Sequence, residues 1–199
     1  MGVCAAEEEN HRLKLRKINK IEESKNADLE NPKMRKKKSF HNKTIDICLN
    51  SKKLIIKLIG EIKGKSIKIN SNIDCIILIM DYSQSIKVEN CKNCSLLLAP
   101  CSSTIIINNC ENLNIISASL NLKIANVKKG CFFIFTNNPP IIENSEDIFL
   151  GNFFFQYPEL PEMFLNSKLN IWNNKWSCYK EEGKIKNIQF SNDIIKKIL

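Results

Sequence analysis

No histidine follows His41, and no arginine follows Arg35; the three arginines are Arg12, Arg16 and Arg35. The first absence removes imidazole, and with it any Ser-His or Cys-His nucleophile, from everything beyond residue 41. The second leaves that same region without the planar, bidentate guanidinium fork. Long apolar runs are missing too. Stretches such as Cys75 to Met80 and Phe132 to Phe135 fall far short of the roughly 18 to 20 residues a membrane helix needs. The N-terminus has no basic start followed by an apolar stretch of about 7 to 15 residues, so no secretory signal is expected. The nine cysteines accordingly read as thiols in a reducing compartment rather than as a disulfide framework. Residues 1 to 40 hold one phenylalanine and no tryptophan or tyrosine, and such a segment cannot bury a core of its own.

The remaining composition describes one folded domain with a tail. The chain has 199 residues, 43% of them hydrophobic, which suits a single core. Residues 1–43 carry twelve of the 30 basic residues and seven of the 21 acidic ones, so this tail holds +5 of the net charge of +9. Isoleucine, lysine and asparagine supply 31, 27 and 26 residues, a bias that inflates every lysine-based signal. Past residue 43 the bases are scattered rather than gathered on a face with stacking aromatics, which argues against a nucleic-acid partner.

From Thr44 onward, short apolar runs are broken every few residues by Asn, Ser, Asp or Cys, the pattern of strands joined by tight turns. An apolar-x-apolar unit recurs as SIKIN at Ser66, SIKVEN at Ser85, TIIINN at Thr104, NLKIAN at Asn121 and PPIIEN at Pro139. Aligning Ile67, Ile86, Ile105, Leu122 and Pro140 gives spacings of 19, 19, 17 and 18. A second apolar run follows in the first four repeats, from Cys75, Cys94, Leu113 and Cys131. Two or three short strands cannot form a sheet alone. Stacked repeats can, each strand pairing in parallel with its copies about 4.8 Å above and below. The reading is an all-β parallel β-helix of about five coils, with Asn90, Asn109, Asn126 and Asn144 at equivalent left-handed corners. Cys91 and Cys110 are expected to stack inside the coil. Residues 44–62 are expected to close the first coil and the aromatic-rich stretch from Phe149 to Trp176 the last.

Three motifs carry chemistry. The start MGVCAA places Gly2 for N-myristoylation and Cys4 for palmitoylation, and the run Arg35 to Lys38 adds a polybasic signal. Ala6 stands where Ser or Thr is preferred, and Glu7, Glu8 and Glu9 weaken the electrostatic part. The bland alternative is a flexible tail that happens to begin Met-Gly. Cys91-Lys-Asn-Cys94 could be half a zinc site or a redox pair, but no second CxxC matches it and packing is the simpler account, so no metal is assigned. Last, the repeat register sets Asn121, Lys123 and Glu143 on adjacent coils. With Leu122 and Ile124 pointing inward, Lys123 points out; its bland reading is a solvated lysine beside a carboxylate.

Several segments together resemble the tubulin-binding cofactor C domain family, and within it the retinitis pigmentosa 2 branch: KLIGEIKGKSIKI, the corner NCKNC, PPIIE, YPEL at Tyr157 and IWNNKW at Ile171. The likeness runs from about Leu58 to Ser177. It implies a right-handed parallel β-helix over 44–178 with an aromatic cap, followed by an extension at 179–199 and lacking that branch's C-terminal nucleoside-diphosphate-kinase-like domain. It also implies binding of an Arf-like small GTPase in its GTP-bound state, or of tubulin in the cofactor branch. Anchoring would be through N-terminal lipids at the cytoplasmic face of the plasma membrane or the ciliary base. Many members stimulate GTP hydrolysis with an arginine, so such a protein regulates an enzyme and needs no cofactor of its own, the GTPase carrying GTP and magnesium. Counting back from PPIIE, that arginine's place falls on Lys123, a glutamine's on Asn121 and an interface glutamate's on Glu143. Lysine at the first of these places keeps the charge and loses the fork.

Overall fold

The structure, a computed structural model, describes residues 44–191. The tail of residues 1–43, with Gly2, Cys4 and both histidines, lies outside them. The strands are β1 (Ile45–Cys48), β2 (Leu54–Lys57), β3 (Ile67–Asn70), β4 (Ile76–Ile79), β5 (Ile86–Glu89), β6 (Lys92–Thr136), β7 (Ile141–Glu143), β8 (Glu146–Asn152), β9 (Lys180–Glu182) and β10 (Lys186–Ser191). Every pairing between them is parallel: Ile45 lies opposite Ile67, Ile67 opposite Ile86, and Ile86 opposite Ile105. Lys123 lies opposite Ile141, which sets Leu122 beside Pro140, and Ile141 lies opposite Lys180. The repeat column is therefore a column of hydrogen-bonded rungs, and the chain winds as a parallel β-solenoid of about six turns.

The spacing predicts about five coils, and the stack is extended at both ends. Residues 44–62, expected as a cap, instead supply β1 and β2, a coil of their own. The step from Ile45 to Ile67 is 22 residues, lengthened by the loop at 58–65, so it escapes a search tuned to 17–19. At the other end the step from Ile141 to Lys180 is 39 residues, because the chain makes a long excursion before it resumes the stack with β9 and β10.

Inside, the alternation of each strand does the expected work. Ile67, Ile69, Ile86, Val88, Ile105, Ile107, Leu122, Ile124 and Ile142 are fully buried, each stabilising the fold by about 1.5–3 kcal/mol before entropy is counted. The corners explain the asparagines. Leu49, Ser71, Asn90, Asn109, Asn126 and Asn144 all have positive φ, and so, three residues further on, do Lys52, Asp74, Asn93, Asn112, Lys129 and Asp147. Each coil thus turns through two left-handed residues, the conformation Asn adopts most cheaply after Gly. Their amides also stack: Asn109 Nδ2 donates to Asn90 Oδ1 at 2.6 Å, and Asn112 Nδ2 to Asn93 Oδ1 at 2.9 Å.

The residue after each first corner turns inward. Cys91 and Cys110 occupy this place on neighbouring coils, and the Cys91 N–H points at Cys110 Sγ. Cys94 is buried as well. The hydrogen bond to Cys110 pushes the Cys91 thiol up, and that from Cys91, with burial, pushes Cys94 up. The same contact pulls the Cys110 thiol down. The CxxC motif is core.

Gly130 occupies the inward place after a second corner because a Cβ there would fall 2.2 Å from the ring of fully buried Phe132. The loop at 58–65 is held differently. One oxygen of buried Asp81 accepts the backbone N–H groups of Gly60, Ile62 and Lys63 at 3.0, 2.9 and 2.8 Å, and this carries the Ile62 side chain into the core.

Much of the aromatic stretch runs back along the third side, with Phe153 and Phe164 against Ala118 and Phe135, while Trp176 packs at the last turn. Helix α1 (Leu160–Ser167) begins with Pro161 in its first turn and ends at Lys168 in a left-handed cap, an arrangement favoured at both termini. Its residues Leu160, Met163 and Ser167 are buried, and Phe164 meets Phe135 edge-on at 5.3 Å. Further along, Tyr157 donates its hydroxyl to the carbonyl of Met80 at 3.3 Å, across 77 residues of sequence. Trp176, Tyr179, Ile185 and Ile188 pack against the core from the last turn.

Candidate functional site

The strand column β1-β3-β5-β6-β7-β9 presents its alternate side chains outward. Because Leu122 and Ile124 are buried, Lys123 between them faces solvent, as the register requires. On the next coil Ile142 is buried and Glu143 faces out. The strand pairing sets Glu143 opposite Ala125, so Lys123 reaches it along the diagonal, within the range long side chains span. Lys123 Nζ lies 2.6 Å from Glu143 Oε2, the two side chains 40% and 32% exposed.

That hydrogen bond, then the charge of Glu143 and the more distant charge of Glu182, raise the lysine above its ordinary value. The ammonium is fully protonated across the physiological range, so it serves as a fixed positive charge and not as a general base. Ala125 and Ile141, on either side of the pair, offer no competing polar group.

Asn121 lies on the same face, two residues before Lys123. Its hydrogen bonds run along the edge rather than to the ion pair: Oδ1 accepts from Asn138 Nδ2 at 2.8 Å, and Nδ2 approaches Thr104 Oγ1 at 3.5 Å. Of the three residues expected together, Lys123 and Glu143 are in contact and Asn121 is held beside them with its amide already oriented. A second pair, Lys87 Nζ to Glu89 Oε1 at 2.8 Å, lies on the same outward column toward the first coils.

Sequence reasoning missed Glu182. The rung pairing sets it opposite Glu143, so the lysine faces two carboxylates on successive coils. No repeat spacing points to it, because the excursion separates it from Glu143, and KEE carries none of the apolar alternation that marks the other strands. Chemically, the assembly is a tethered cation on a rigid sheet, flanked by carboxylates and an amide. It can bind and neutralise an anionic group on a partner that lies flat against this face. Among the described residues, no cluster of His, Cys, Asp or Glu is placed to hold a metal ion.

Comparison with known proteins agrees with this architecture. The sequence profile of the family described as "Tubulin binding cofactor C" matches residues 64–180. The zebrafish (Danio rerio) protein named "Protein XRP2" is 43% identical over 121 residues, which are 61% of this chain and 32% of that relative. The chain thus spans about a third of the length of the curated relative it matches.

Proposed function

The chain belongs to the tubulin binding cofactor C family, and from that premise we propose that its β-solenoid docks an Arf-like small GTPase in the GTP-bound state through the face bearing Asn121, Lys123 and Glu143. The observation that carries the reading is the Lys123–Glu143 ion pair. It occupies the two positions where the family resemblance sets a catalytic arginine and an interface glutamate. Glu143 holds the partner and orients Lys123, Lys123 meets the phosphates of the nucleotide, and Asn121 helps position them. GTP and magnesium are the partner's.

Lysine in the finger position makes this protein a weak activator at most. An ammonium supplies charge to the phosphoryl-transfer transition state but no planar pair of N–H donors. The same observation favours a second reading, an effector or scaffold that binds the GTPase without activating it. A tubulin-binding role, after the family's description, is the alternative partner choice.

Binding tests the proposal ahead of catalysis. Glu143→Ala is expected to weaken capture of a GTP-loaded Arf-like GTPase by at least tenfold in a titration, because a truncated hot-spot charge costs about 2 kcal/mol or more. An unchanged affinity would sink the assignment of this face.

We further propose that Gly2 is myristoylated and Cys4 palmitoylated, anchoring the protein at the cytoplasmic face of a membrane, at the plasma membrane or the ciliary or flagellar base. A single acyl chain binds only marginally, so loss of either signal is expected to release it. Gly2→Ala should move most of the protein to the soluble fraction on membrane fractionation. Retention in the membrane pellet would rule out the myristoyl anchor.

A further inference from the structure

Exposed apolar side chains are not spread evenly over the solenoid. Of the twelve large ones among the described residues, seven lie on the first two coils: Leu49, Leu54, Ile56, Leu58 and Ile59 on the first, Ile73 and Ile76 on the second. Leu49 is 82% exposed and Leu54 62%. Folded domains tolerate such residues singly, whereas a contiguous group marks a surface that meets something apolar. The rung register makes this group contiguous. Leu54 lies opposite Ile76, and Ser51, two residues after Leu49, lies opposite Ile73. On the third coil these two columns turn polar, Ser95 following Ile76 and Lys92 following Ile73.

Lysines are set among these residues. The stretch 44–80 holds six lysines and three acids, so this end of the stack is positive. The acids are engaged: Glu61 pairs with Lys57 at 3.2 Å, Asp46 lies opposite Lys68, and Asp74 accepts from Asn93 Nδ2 at 2.9 Å. Exposed Lys52, Lys53 and Lys63 make no ion pair among the described residues. Lys53 Nζ reaches only the amide oxygen of Asn50, at 3.4 Å.

We propose that the first two coils form a membrane-binding surface that enters the headgroup boundary of an anionic phospholipid leaflet. A protein surface of this kind sinks about 5–10 Å into that boundary, and two rungs about 4.8 Å apart fill this depth. The change to Ser95 and Lys92 on the third coil falls where the surface returns to water. Lys52 and Lys53 stand between Leu49 and Leu54 in the chain, and Lys63 follows Leu58 and Ile59, so the ammonium groups meet lipid phosphates while their stems lie along the apolar residues.

A second copy of the chain fits less well. A two-fold pair sets the same patch against itself, which brings Lys52, Lys53 and Lys63 against the same lysines of the other copy. The tail joins the solenoid at this end too, since the Ile45 N–H donates to the Ser66 carbonyl at 2.9 Å. The inference rests neither on acylation of that tail nor on the GTPase reading. A stack that stands on its first coils holds Lys123, four rungs on from Ile45, about 19 Å above the leaflet.

The test uses the full chain carrying Gly2→Ala, so that no arm contains a myristoyl group and failure of the lipid-anchor reading leaves the result untouched. Sedimentation with sucrose-loaded vesicles of phosphatidylcholine containing a quarter phosphatidylserine should carry this protein into the pellet. Adding Leu54→Ser, Ile56→Ser and Ile76→Ser together is expected to lower the partition coefficient at least tenfold. Adding Lys52→Gln and Lys53→Gln instead should lower it about tenfold or more on these vesicles and leave the weaker binding to pure phosphatidylcholine unchanged. The lysine variant lies on an exposed corner, so it decides the matter even if the serine variant unfolds. No pelleting of the Gly2→Ala chain, pelleting that ignores phosphatidylserine, or a lysine variant that binds like its parent would overturn the proposal. So would light scattering that shows a dimer abolished by the serine substitutions, which would assign the patch to a second copy.

Discussion

Exchange of Lys123 for arginine is expected to accelerate GTP hydrolysis by a bound Arf-like GTPase well beyond what the wild-type protein achieves. The position is already prepared for it. The diagonal to Glu143 that holds the ammonium at 2.6 Å suits a guanidinium equally, because one N–H edge can pair with the carboxylate while the others face the partner. The flanking Leu122 and Ile124 anchor the strand in the core, so the substitution changes the tip and not the platform. An arginine finger is worth roughly 10³ to 10⁵ in rate, and a lysine lacking the fork should supply only a small part of that.

Single-turnover hydrolysis with wild type, Lys123→Arg and Lys123→Ala separates the readings. Strong stimulation by the arginine variant with weak stimulation by wild type identifies a platform of intact geometry and blunted chemistry. If wild type already matches the arginine variant, lysine suffices and the protein is an activator in its own right. If neither changes the rate at saturating protein while binding persists, the face holds the GTPase without touching its chemistry, and the catalytic role of Lys123 falls.

The second large effect concerns the fold. Asp81→Ala should destabilise the solenoid by about 3 kcal/mol, since hydrogen bonds to a charged group contribute about 1.5–3 kcal/mol each and three N–H groups lose their acceptor together, with water recovering part of the loss. In a domain of this size that lowers the melting temperature by about 6–12 °C. The damage should be local in origin: Gly60, Ile62 and Lys63 all donate to the same carboxylate oxygen, and without it the loop cannot hold Ile62 in the core. Because one oxygen takes all three, Asp81→Asn should restore more than half of the lost stability by offering its amide oxygen there. Equal melting of the alanine and wild-type proteins would show that the loop contributes nothing to the stack.

Much of this architecture is legible in the residues themselves. Three spacings of 17–19 residues aligned Ile67, Ile86, Ile105 and Leu122, and the asparagines marked the corners, because a rung of fixed length and a left-handed turn both leave direct traces in sequence. What was hidden lay where insertions break the period. The first coil reads as a cap because the loop at 58–65 stretches its step. The last was unreadable because Lys180, Glu181 and Glu182 hold their rungs through backbone hydrogen bonds alone, with no apolar side chain to announce the inward direction. The aromatic stretch reads as covering material, but composition does not say which surface it covers. The site divides the same way: the diagonal from Lys123 to Glu143 follows from register, whereas Glu182 joins it only through the pairing of β7 with β9.

The excursion that hid the last coil also changes how the molecule comes apart. A stack whose turns touch only their neighbours unravels from its free ends, one rung at a time, each loss leaving the rest intact. Here α1 and the aromatic residues before it lie across the third side, and Tyr157 fastens to Met80, several turns from the coil where the segment leaves the stack. Fraying at the late end must therefore strip this belt from the middle turns as well, which ties the fate of early and late rungs together. The ladder that carries Lys123 and Glu143 thereby melts as one block with the coils beneath it, and the ion pair keeps its registry until the whole domain gives way.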